Sequence, residues 1–184
     1  MPSPAIFLDR DGTIIVEKNY PSHPDQVALL DGAIAGLRAM ARHAYPLVVV
    51  SNQSGIGRGY FSEEQADAVE RRVIDLLARA EIAVAGWYRC PHSPEAGCAC
   101  RKPAPGMILS AVRDLDLDPA RSFVIGDKWC DIELAAAVGA AGILVTTGHG
   151  HLDAGRARSQ GIAVCRDLVE ADNEITRHLA MDRV

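Results

Sequence analysis

The sequence lacks an excess of positive charge. Its 19 Lys and Arg residues are outnumbered by 24 Asp and Glu residues, which gives a formal net charge of −5 and a pI of about 5.6. Proteins that bind the phosphate backbone of nucleic acids usually carry a basic patch or a basic domain. We therefore expect no nucleic-acid partner, and an anionic ligand would have to be held by a few local cations.

Long apolar segments and internal repeats are also lacking. The longest apolar stretch, residues 134–145, is shorter than the roughly 20 apolar residues that cross a bilayer. The first residues show neither a basic leader nor an apolar segment of signal-peptide length. We therefore expect a cytoplasmic protein with no membrane association. Because no linker or change in composition divides the chain, we predict a single domain, 1–184, and we expect a monomer.

Apolar segments rich in β-branched residues alternate with segments of helical periodicity. The sequence predicts buried parallel strands at 5–8, 47–50, 123–125 and 143–145, a weaker strand at 84–89, and helices at 33–43, 63–80, 106–115 and 132–138. Ser62 and Gln65 form a capping-box pattern, Pro105 precedes a helix, and Gly139 follows one. This alternation predicts an α/β fold with a doubly wound, mostly parallel sheet, which binds ligands beyond the carboxyl ends of its strands.

Polar side chains follow the first two predicted strands. Asp9 and Asp11 come directly after the first strand, where two carboxylates two residues apart can face one site, and Gly12 permits the turn that follows. An ordinary Asp-Gly turn explains this fragment alone equally well. The second strand leads into residues 51–54, whose hydroxyl, amide and backbone N–H groups could hold a phosphoryl oxygen. Loops of this composition more often only turn the chain.

Charged residues stand at two further positions of the same kind. Arg101 and Lys102 precede a predicted helix and could hold anionic groups, although exposed basic side chains are ordinarily solvated. Asp127 follows the predicted strand at 123–125 and would add a hard oxygen ligand for Mg²⁺. Asp131 could hold a coordinated water, orient Lys128 or cap the next helix.

Four motifs, taken in order along the chain, resemble those of the haloacid dehalogenase superfamily of phosphohydrolases. They are Asp9-x-Asp11-Gly-Thr13, Ser51, Lys102, and Gly126-Asp127 with Asp131. The resemblance implies a Rossmann-like fold with a minimal cap. It also implies that Asp9 is a nucleophile that forms an aspartyl-phosphate and that Asp11 is its acid/base partner. The implied Mg²⁺ ligands are Asp9, the Asp11 carbonyl and Asp127, and Ser51 and Lys102 would stabilise the phosphoryl group.

A cluster of cysteines lies at residues 90–100. Cys90, His92, Cys98 and Cys100 offer three thiolates and one imidazole within eleven residues, a ligand set that favours a closed, structural Zn²⁺ site. Free cysteines or a disulfide are the alternatives. Since the loop ends next to Arg101, we infer that Zn²⁺ stiffens it and so directs Arg101 and Lys102 at the substrate.

This zinc loop joined to Arg-Lys-Pro, together with residues 52–56 and 58–61, resembles the D-glycero-D-manno-heptose 1,7-bisphosphate 7-phosphatase family. The resemblance implies removal of the 7-phosphate of a heptose bisphosphate on the route to bacterial lipopolysaccharide or S-layer sugars. Histidinol-phosphate phosphatase, or another small sugar-phosphate phosphatase, is the alternative. The family commonly has Asn-x-Asp where this chain has Ile15 and Glu17. The implied substrate contacts are Glu17, Lys18, Asn19, Tyr20, Asn52, Gln53, Ser54, Arg101 and Lys128.

Two classes of protein other than phosphatases could also show this pattern of residues. A phosphoacceptor receiver domain places aspartates, a hydroxyl and a lysine at strand ends, but Asp11 and the zinc loop argue against it. A zinc-loop interaction module with a decayed site is opposed by the complete set of aspartates, serine and lysine. The remaining expectations are that Arg58, His149 and His151 are surface residues that could reach the pocket, that Cys130 and Cys165 are buried thiols, and that Trp87 packs in the core.

Overall fold

The computed structural model describes residues 1–181 and contains a six-stranded parallel sheet. The strands run in the order β3-β2-β1-β4-β5-β6. Their bounds are β1 Ile6–Leu8, β2 Leu47–Asn52, β3 Gly86–Cys90, β4 Phe123–Gly126, β5 Ala141–Val145 and β6 Ala163–Cys165. The predicted doubly wound sheet is confirmed, and every pairing within it is parallel.

Within residues 1–181, seven α-helices connect the strands or cover the sheet. They are α1 Ala33–Met40, α2 Ser54–Gly57, α3 Glu63–Arg79, α4 Gly106–Leu115, α5 Trp129–Val138, α6 Ala154–Ser159 and α7 Leu168–Met181. The capping box at Ser62, the start of α4 after Pro105 and the left-handed cap at Gly139 are confirmed. No helix within residues 1–181 is long and apolar enough to cross a membrane.

Two apolar layers enclose the sheet. Ile6 and Leu8 pack into the layer with α1, α3 and α7, whereas Phe7 between them packs into the layer with α4 and α5. Successive side chains of a strand point to opposite faces, so a continuous apolar strand serves both layers. Trp87 is partly buried against the first layer, as predicted.

The order of strands reverses on the two sides of β1. β2 pairs with one edge of β1 and β4 with the other, so their carboxyl ends lie side by side. Between β1 and β2 lie two isolated bridges, Asp11 with Ile15 and Ile15 with Leu29, a single turn of 3-10 helix at Pro24–Gln26, then α1 and a second such turn at Ala41–His43. The cap is therefore minimal, and the carboxyl edge of the sheet stays open to a small ligand.

Candidate active site

Two buried carboxylates stand at the carboxyl end of β1. Asp9 follows the strand directly and is 5% exposed, and Asp11 is 8% exposed. Gly12 has φ +80°, and a Cβ at this position would lie only 2.2 Å from Oδ2 of Asp127. A residue without a Cβ is required there. The turn after β1 is thus packed directly against the end of β4.

Lys102 is a buried cation between two carboxylates of this site. Its Nζ lies 2.8 Å from Oδ1 of Asp9 and 2.7 Å from Oδ1 of Asp131, and it donates a hydrogen bond to the Val50 carbonyl at 2.9 Å. Burial alone lowers the pKa of Lys102, but Asp131 and Asp9 raise it above the ordinary value. Lys102 therefore stays charged at the carboxyl ends of β1 and β2.

Asp131 contacts both the Lys102 side chain and the backbone at the start of α5. Its Oδ2 accepts a hydrogen bond from the N–H of Lys128 at 3.1 Å, which caps α5, while Oδ1 faces Lys102. The predicted helix cap at Asp131 is present. The lysine side chain that it orients, however, is that of Lys102 and not that of Lys128.

A cluster of three carboxylates offers a place for a hard cation. Asp9, Asp127 and Asp131 each supply an oxygen, and these atoms lie within 4.8 Å of one another. Oδ1 of Asp127 is buried and has no hydrogen-bond partner. Burial and the charge of Asp9 raise the pKa of Asp127 to about 7, and they outweigh the lowering effect of Lys128. This oxygen set fits Mg²⁺.

Asp11 is held by two side chains. Arg10, itself 2% exposed, donates from Nε at 3.1 Å and from Nη2 at 3.0 Å to the two carboxylate oxygens of Asp11. Nε2 of Gln53 donates to Oδ2 of Asp11 at 2.8 Å and to Oγ of Ser51 at 2.8 Å. Sequence reasoning missed Arg10, because an arginine between two aspartates looks like a solvated charge.

A cleft of about 250 Å³ opens beside these residues. Lys18 is exposed and does not line it, so the structure does not bring this predicted substrate contact to the site. The other eight predicted contacts do line the cleft: Glu17, Asn19, Tyr20, Asn52, Gln53, Ser54, Arg101 and Lys128. A larger cavity of about 580 Å³ lies near Tyr45 and Phe123 at the amino ends of β2 and β4, away from the carboxylates.

Charged groups of opposite sign face each other across the cleft. Lys128 donates from Nζ to Oε2 of Glu17 at 3.0 Å, and Nδ1 of His149 lies 3.8 Å from the same oxygen. Burial opposes ionisation of Glu17, but Lys128 lowers its pKa below the ordinary value. The backbone N–H of His149 donates a hydrogen bond to Oδ2 of Asp127 at 2.8 Å. His149 is therefore tied to both the cleft and the carboxylate cluster.

The remaining candidates divide between the cleft and the surface. His151 is exposed and lies outside the cleft, as does Arg58, which pairs with Glu95 at 3.6 Å. Cys165 is buried, as predicted. Cys130 is only partly buried and lines the cleft, so its assignment to the apolar interior is wrong. The first turn of α5 carries it toward the carboxyl edge of the sheet instead.

The four predicted zinc ligands converge on one point. The three Sγ atoms of Cys90, Cys98 and Cys100 lie 3.3 to 3.5 Å apart, and Nδ1 of His92 is 3.3 Å from Sγ of Cys100. All of these cysteines are free, so the disulfide alternative is not adopted. Burial raises the pKa of Cys90 to about 12, whereas hydrogen bonds, the first from Arg101, outweigh burial and lower that of Cys98 to about 6. The cluster could hold a tetrahedral Zn²⁺ ion.

The cysteine cluster leads directly into the cations of the site. The N–H of Lys102 donates to Oδ1 of Asn52 at 3.0 Å, and Nδ2 of Asn52 donates back to the Lys102 carbonyl at 3.2 Å. Nη1 of Arg101 is buried without a hydrogen-bond partner, on a side chain that lines the cleft. An unpaired buried guanidinium nitrogen of this kind favours an anionic ligand.

Comparison with known proteins identifies the family. Residues 99–171 match the HAD-hydrolase-like family model. The chain is 43% identical to the D-glycero-beta-D-manno-heptose-1,7-bisphosphate 7-phosphatase of Salmonella typhi over 79% of this chain and 81% of that protein. It is 42% identical to the enzyme of that name from Haemophilus influenzae, over 78% and 82%.

A solved structure supports the same assignment. The D,D-heptose 1.7-bisphosphate phosphatase from B. bronchiseptica, complexed with magnesium and phosphate, superposes with a TM-score of 0.87 at 32% sequence identity. The superposition covers 95% of this chain and 99% of that chain. The chain therefore belongs to the D-glycero-beta-D-manno-heptose-1,7-bisphosphate 7-phosphatase family of haloacid dehalogenase phosphohydrolases.

Proposed function

We propose that this phosphohydrolase removes the 7-phosphate of D-glycero-D-manno-heptose 1,7-bisphosphate by way of an aspartyl-phosphate on Asp9. The observation that carries the proposal is the convergence of Asp9, Asp11, Lys102 and Asp127 at one edge of the sheet, beside a cleft lined by Arg101 and Lys128. The relatives named for this reaction support the choice of substrate.

In this proposal Asp9 attacks phosphorus. Its Oδ1 accepts hydrogen bonds from the Arg10 N–H at 2.8 Å and faces the Lys102 ammonium, and these contacts fix the direction of the other oxygen. In the first step an oxygen of Asp9 forms a bond to phosphorus while the bond from phosphorus to the sugar oxygen breaks. Lys102 and Ser51 hold the phosphoryl oxygens as charge develops on them.

Asp11 serves both halves of the reaction. In the first half it donates a proton to the departing sugar oxygen, and in the second it takes a proton from the water that attacks phosphorus. The second step releases inorganic phosphate and restores the Asp9 carboxylate. The clamp formed by Arg10 and Gln53 keeps the Asp11 carboxylate beside the cleft.

Two metal ions would complete the protein. Asp9, the Asp11 carbonyl and Asp127 would hold Mg²⁺, which screens the repulsion between the carboxylate nucleophile and the phosphate when it is bound. Cys90, His92, Cys98 and Cys100 would hold Zn²⁺ with no position left open for substrate, so its contribution would be structural.

The second phosphate of the substrate needs cations beyond the reaction centre. Arg101 and Lys128 line the cleft, and Nη1 of Arg101 is without a partner. Glu17, which pairs with Lys128, could accept hydrogen bonds from sugar hydroxyls. The open edge of the sheet, with its minimal cap, suits a small soluble substrate of this kind. The enzyme would then act in the cytoplasm, where such sugar phosphates are made.

A substrate screen tests the proposal. Phosphate release would be measured with Mg²⁺ on both anomers of the heptose 1,7-bisphosphate and on histidinol phosphate. We expect kcat/KM for one heptose anomer to exceed that for histidinol phosphate by at least about tenfold, which requires only about 1.4 kcal/mol of transition-state discrimination. A preference for histidinol phosphate would overturn the choice of substrate and leave the roles of Asp9 and Asp11 intact.

A further inference from the structure

Gln53 lies between the cysteine loop, residues 90–100, and the reacting groups. The residue is 5% exposed and immediately precedes α2, the short helix that follows β2. It was predicted to contact substrate, yet both of its amide hydrogen-bond donors have partners inside the protein. Nε2 reaches Asp11 at 2.8 Å and Ser51 at 2.8 Å. A side-chain amide has only two N–H donors, so Nε2 retains none for the substrate.

The backbone around Gln53 is held by the cysteine loop. The N–H of Gln53 donates to the carbonyl of Cys90 at 2.8 Å, and the N–H of Gly57 donates to the carbonyl of Pro91 at 2.8 Å. A Cβ on Gly57 would lie 2.6 Å from the N of Ser93 and 2.8 Å from the Pro91 carbonyl oxygen. Helix α2 therefore rests directly on the backbone of this loop.

We infer that Gln53 is a positioning residue, through which the cysteine loop sets the orientation of the acid/base carboxylate Asp11 and the phosphoryl-binding hydroxyl of Ser51. The inference rests on the proposed function, since it takes the acid/base part of Asp11 as given. The cysteine loop would then position Gln53 as well as Arg101 and Lys102, the two residues that follow the loop in the chain.

The geometry explains why Asp11 needs this contact. Arg10 grips the same carboxylate from one side, and Gln53 contacts Oδ2 from the end of β2. Without Gln53, the Asp11 carboxylate would be fixed only by its sequence neighbour. Proton transfer requires Asp11 to lie within hydrogen-bond distance of the sugar oxygen. A small change in the orientation of Asp11 therefore slows the step in which the bond between phosphorus and the sugar oxygen breaks.

Esters with different leaving groups separate this effect from general damage. A sugar alkoxide must gain a proton as it leaves, whereas the nitrophenolate of p-nitrophenyl phosphate leaves readily without one. For Gln53→Met we compare kcat/KM, which reports only the steps up to departure of the leaving group and not the hydrolysis of the aspartyl-phosphate that both esters share. We expect kcat/KM on the heptose bisphosphate to fall at least about tenfold more than kcat/KM on p-nitrophenyl phosphate, a part of the 10²- to 10⁴-fold that acid/base catalysis contributes. Gln160→Met, at the exposed end of α6, is the matched control and should change neither value.

A second pair of variants tests the link to the cysteine loop. Gly57→Ala pushes α2 off that loop, whereas Gly155→Ala meets nothing within 4 Å. Gly57→Ala should reproduce the leaving-group difference and raise the rate of hydrogen exchange at the Gln53 amide, as measured by mass spectrometry. Gly155→Ala should do neither. Unchanged exchange at Gln53 in Gly57→Ala would contradict the link.

The outcomes distinguish the two proposals. If wild-type protein hydrolyses p-nitrophenyl phosphate and mannose 6-phosphate but no heptose bisphosphate, the choice of substrate is wrong, and the leaving-group comparison is made with mannose 6-phosphate. Equal losses of kcat/KM on the aryl and alkyl esters in Gln53→Met would overturn the positioning inference while the proposed function stands. Failure of the wild type to hydrolyse any of these esters would overturn both.

Discussion

Lys102 is a buried cation on which two carboxylates of the site depend. Its ammonium group lies between Asp9 and Asp131, and its side chain is almost fully buried. Lys102→Met would leave both carboxylates without their cation, so we expect the free energy of unfolding to fall by about 3 kcal/mol in the metal-free protein. Denaturant titration measures this change. Lys18→Met, at an exposed position, should leave the stability unchanged, and an equal loss in both variants would contradict the expectation.

Asp11 gives the second prediction at the scale of single residues. Its proposed proton transfer to and from the reacting oxygens is needed for both steps, and the second step removes the phosphoryl group from Asp9. For Asp11→Asn, we expect kcat to fall by at least about 100-fold, the lower end of what acid/base catalysis contributes. With an aryl phosphate, mass spectrometry should detect the phosphoryl adduct on the peptide that contains Asp9. Undiminished turnover in Asp11→Asn would remove it from the mechanism.

The charged residues at the reaction centre were predictable from their positions at the ends of strands. Asp9, Asp127 and Lys102 follow strands or precede a helix, and the structure brings them together. Arg10 could not be identified because its burial depends on the carboxylate that it clamps. The contact between Lys128 and Glu17 joins residues 111 positions apart in sequence, which no local pattern reveals.

The cysteine loop is the element whose stability depends most on a metal. Three thiol groups and one imidazole group lie together, and the three Sγ atoms are 3.3 to 3.5 Å apart. We expect one Zn²⁺ per chain by elemental analysis, and Cys100→Ser should lose most of the metal and lower Tm. Cys130→Ser, outside the loop, should keep it. Zn²⁺ retained in full by Cys100→Ser would exclude this ligand set.

Elements with strong patterns were predicted well, and short ones were missed. Helix α4 has the predicted bounds, and β2 and β4 extend the predicted strands by one or two residues. Helix α5 begins at Trp129 and not at residue 132, because the Asp131 side chain caps the Lys128 backbone N–H. Helix α2 has only four residues and is held by the cysteine loop, so periodicity could not indicate it. Strand β6 and helices α6 and α7 were not predicted at all.

For the whole molecule, the carboxylate cluster links stability to pH and to Mg²⁺. Burial, with the charge of Asp9, raises the pKa of Asp127 to about 7. A carboxyl group whose pKa is higher in the folded state stabilises the metal-free fold at low pH, and this stabilisation is lost as the pH rises through the folded value. Mg²⁺ binds the ionised form, so the increase in Tm on adding Mg²⁺ should be larger at pH 8 than at pH 6. Asp127→Asn should abolish that difference, and equal increases at both pH values in the wild type would contradict it.

The central claim is that this chain removes the 7-phosphate of a heptose 1,7-bisphosphate through the site at the carboxyl edge of its sheet. The most direct measurement is ³¹P NMR of the bisphosphate during turnover with Mg²⁺, beside Asp9→Asn as the inactive control. The account predicts that the signal of the phosphate on the primary C7 oxygen is replaced by that of inorganic phosphate, while the signal of the anomeric phosphate remains. Loss of the anomeric phosphate, or turnover at the wild-type rate in Asp9→Asn, would contradict it.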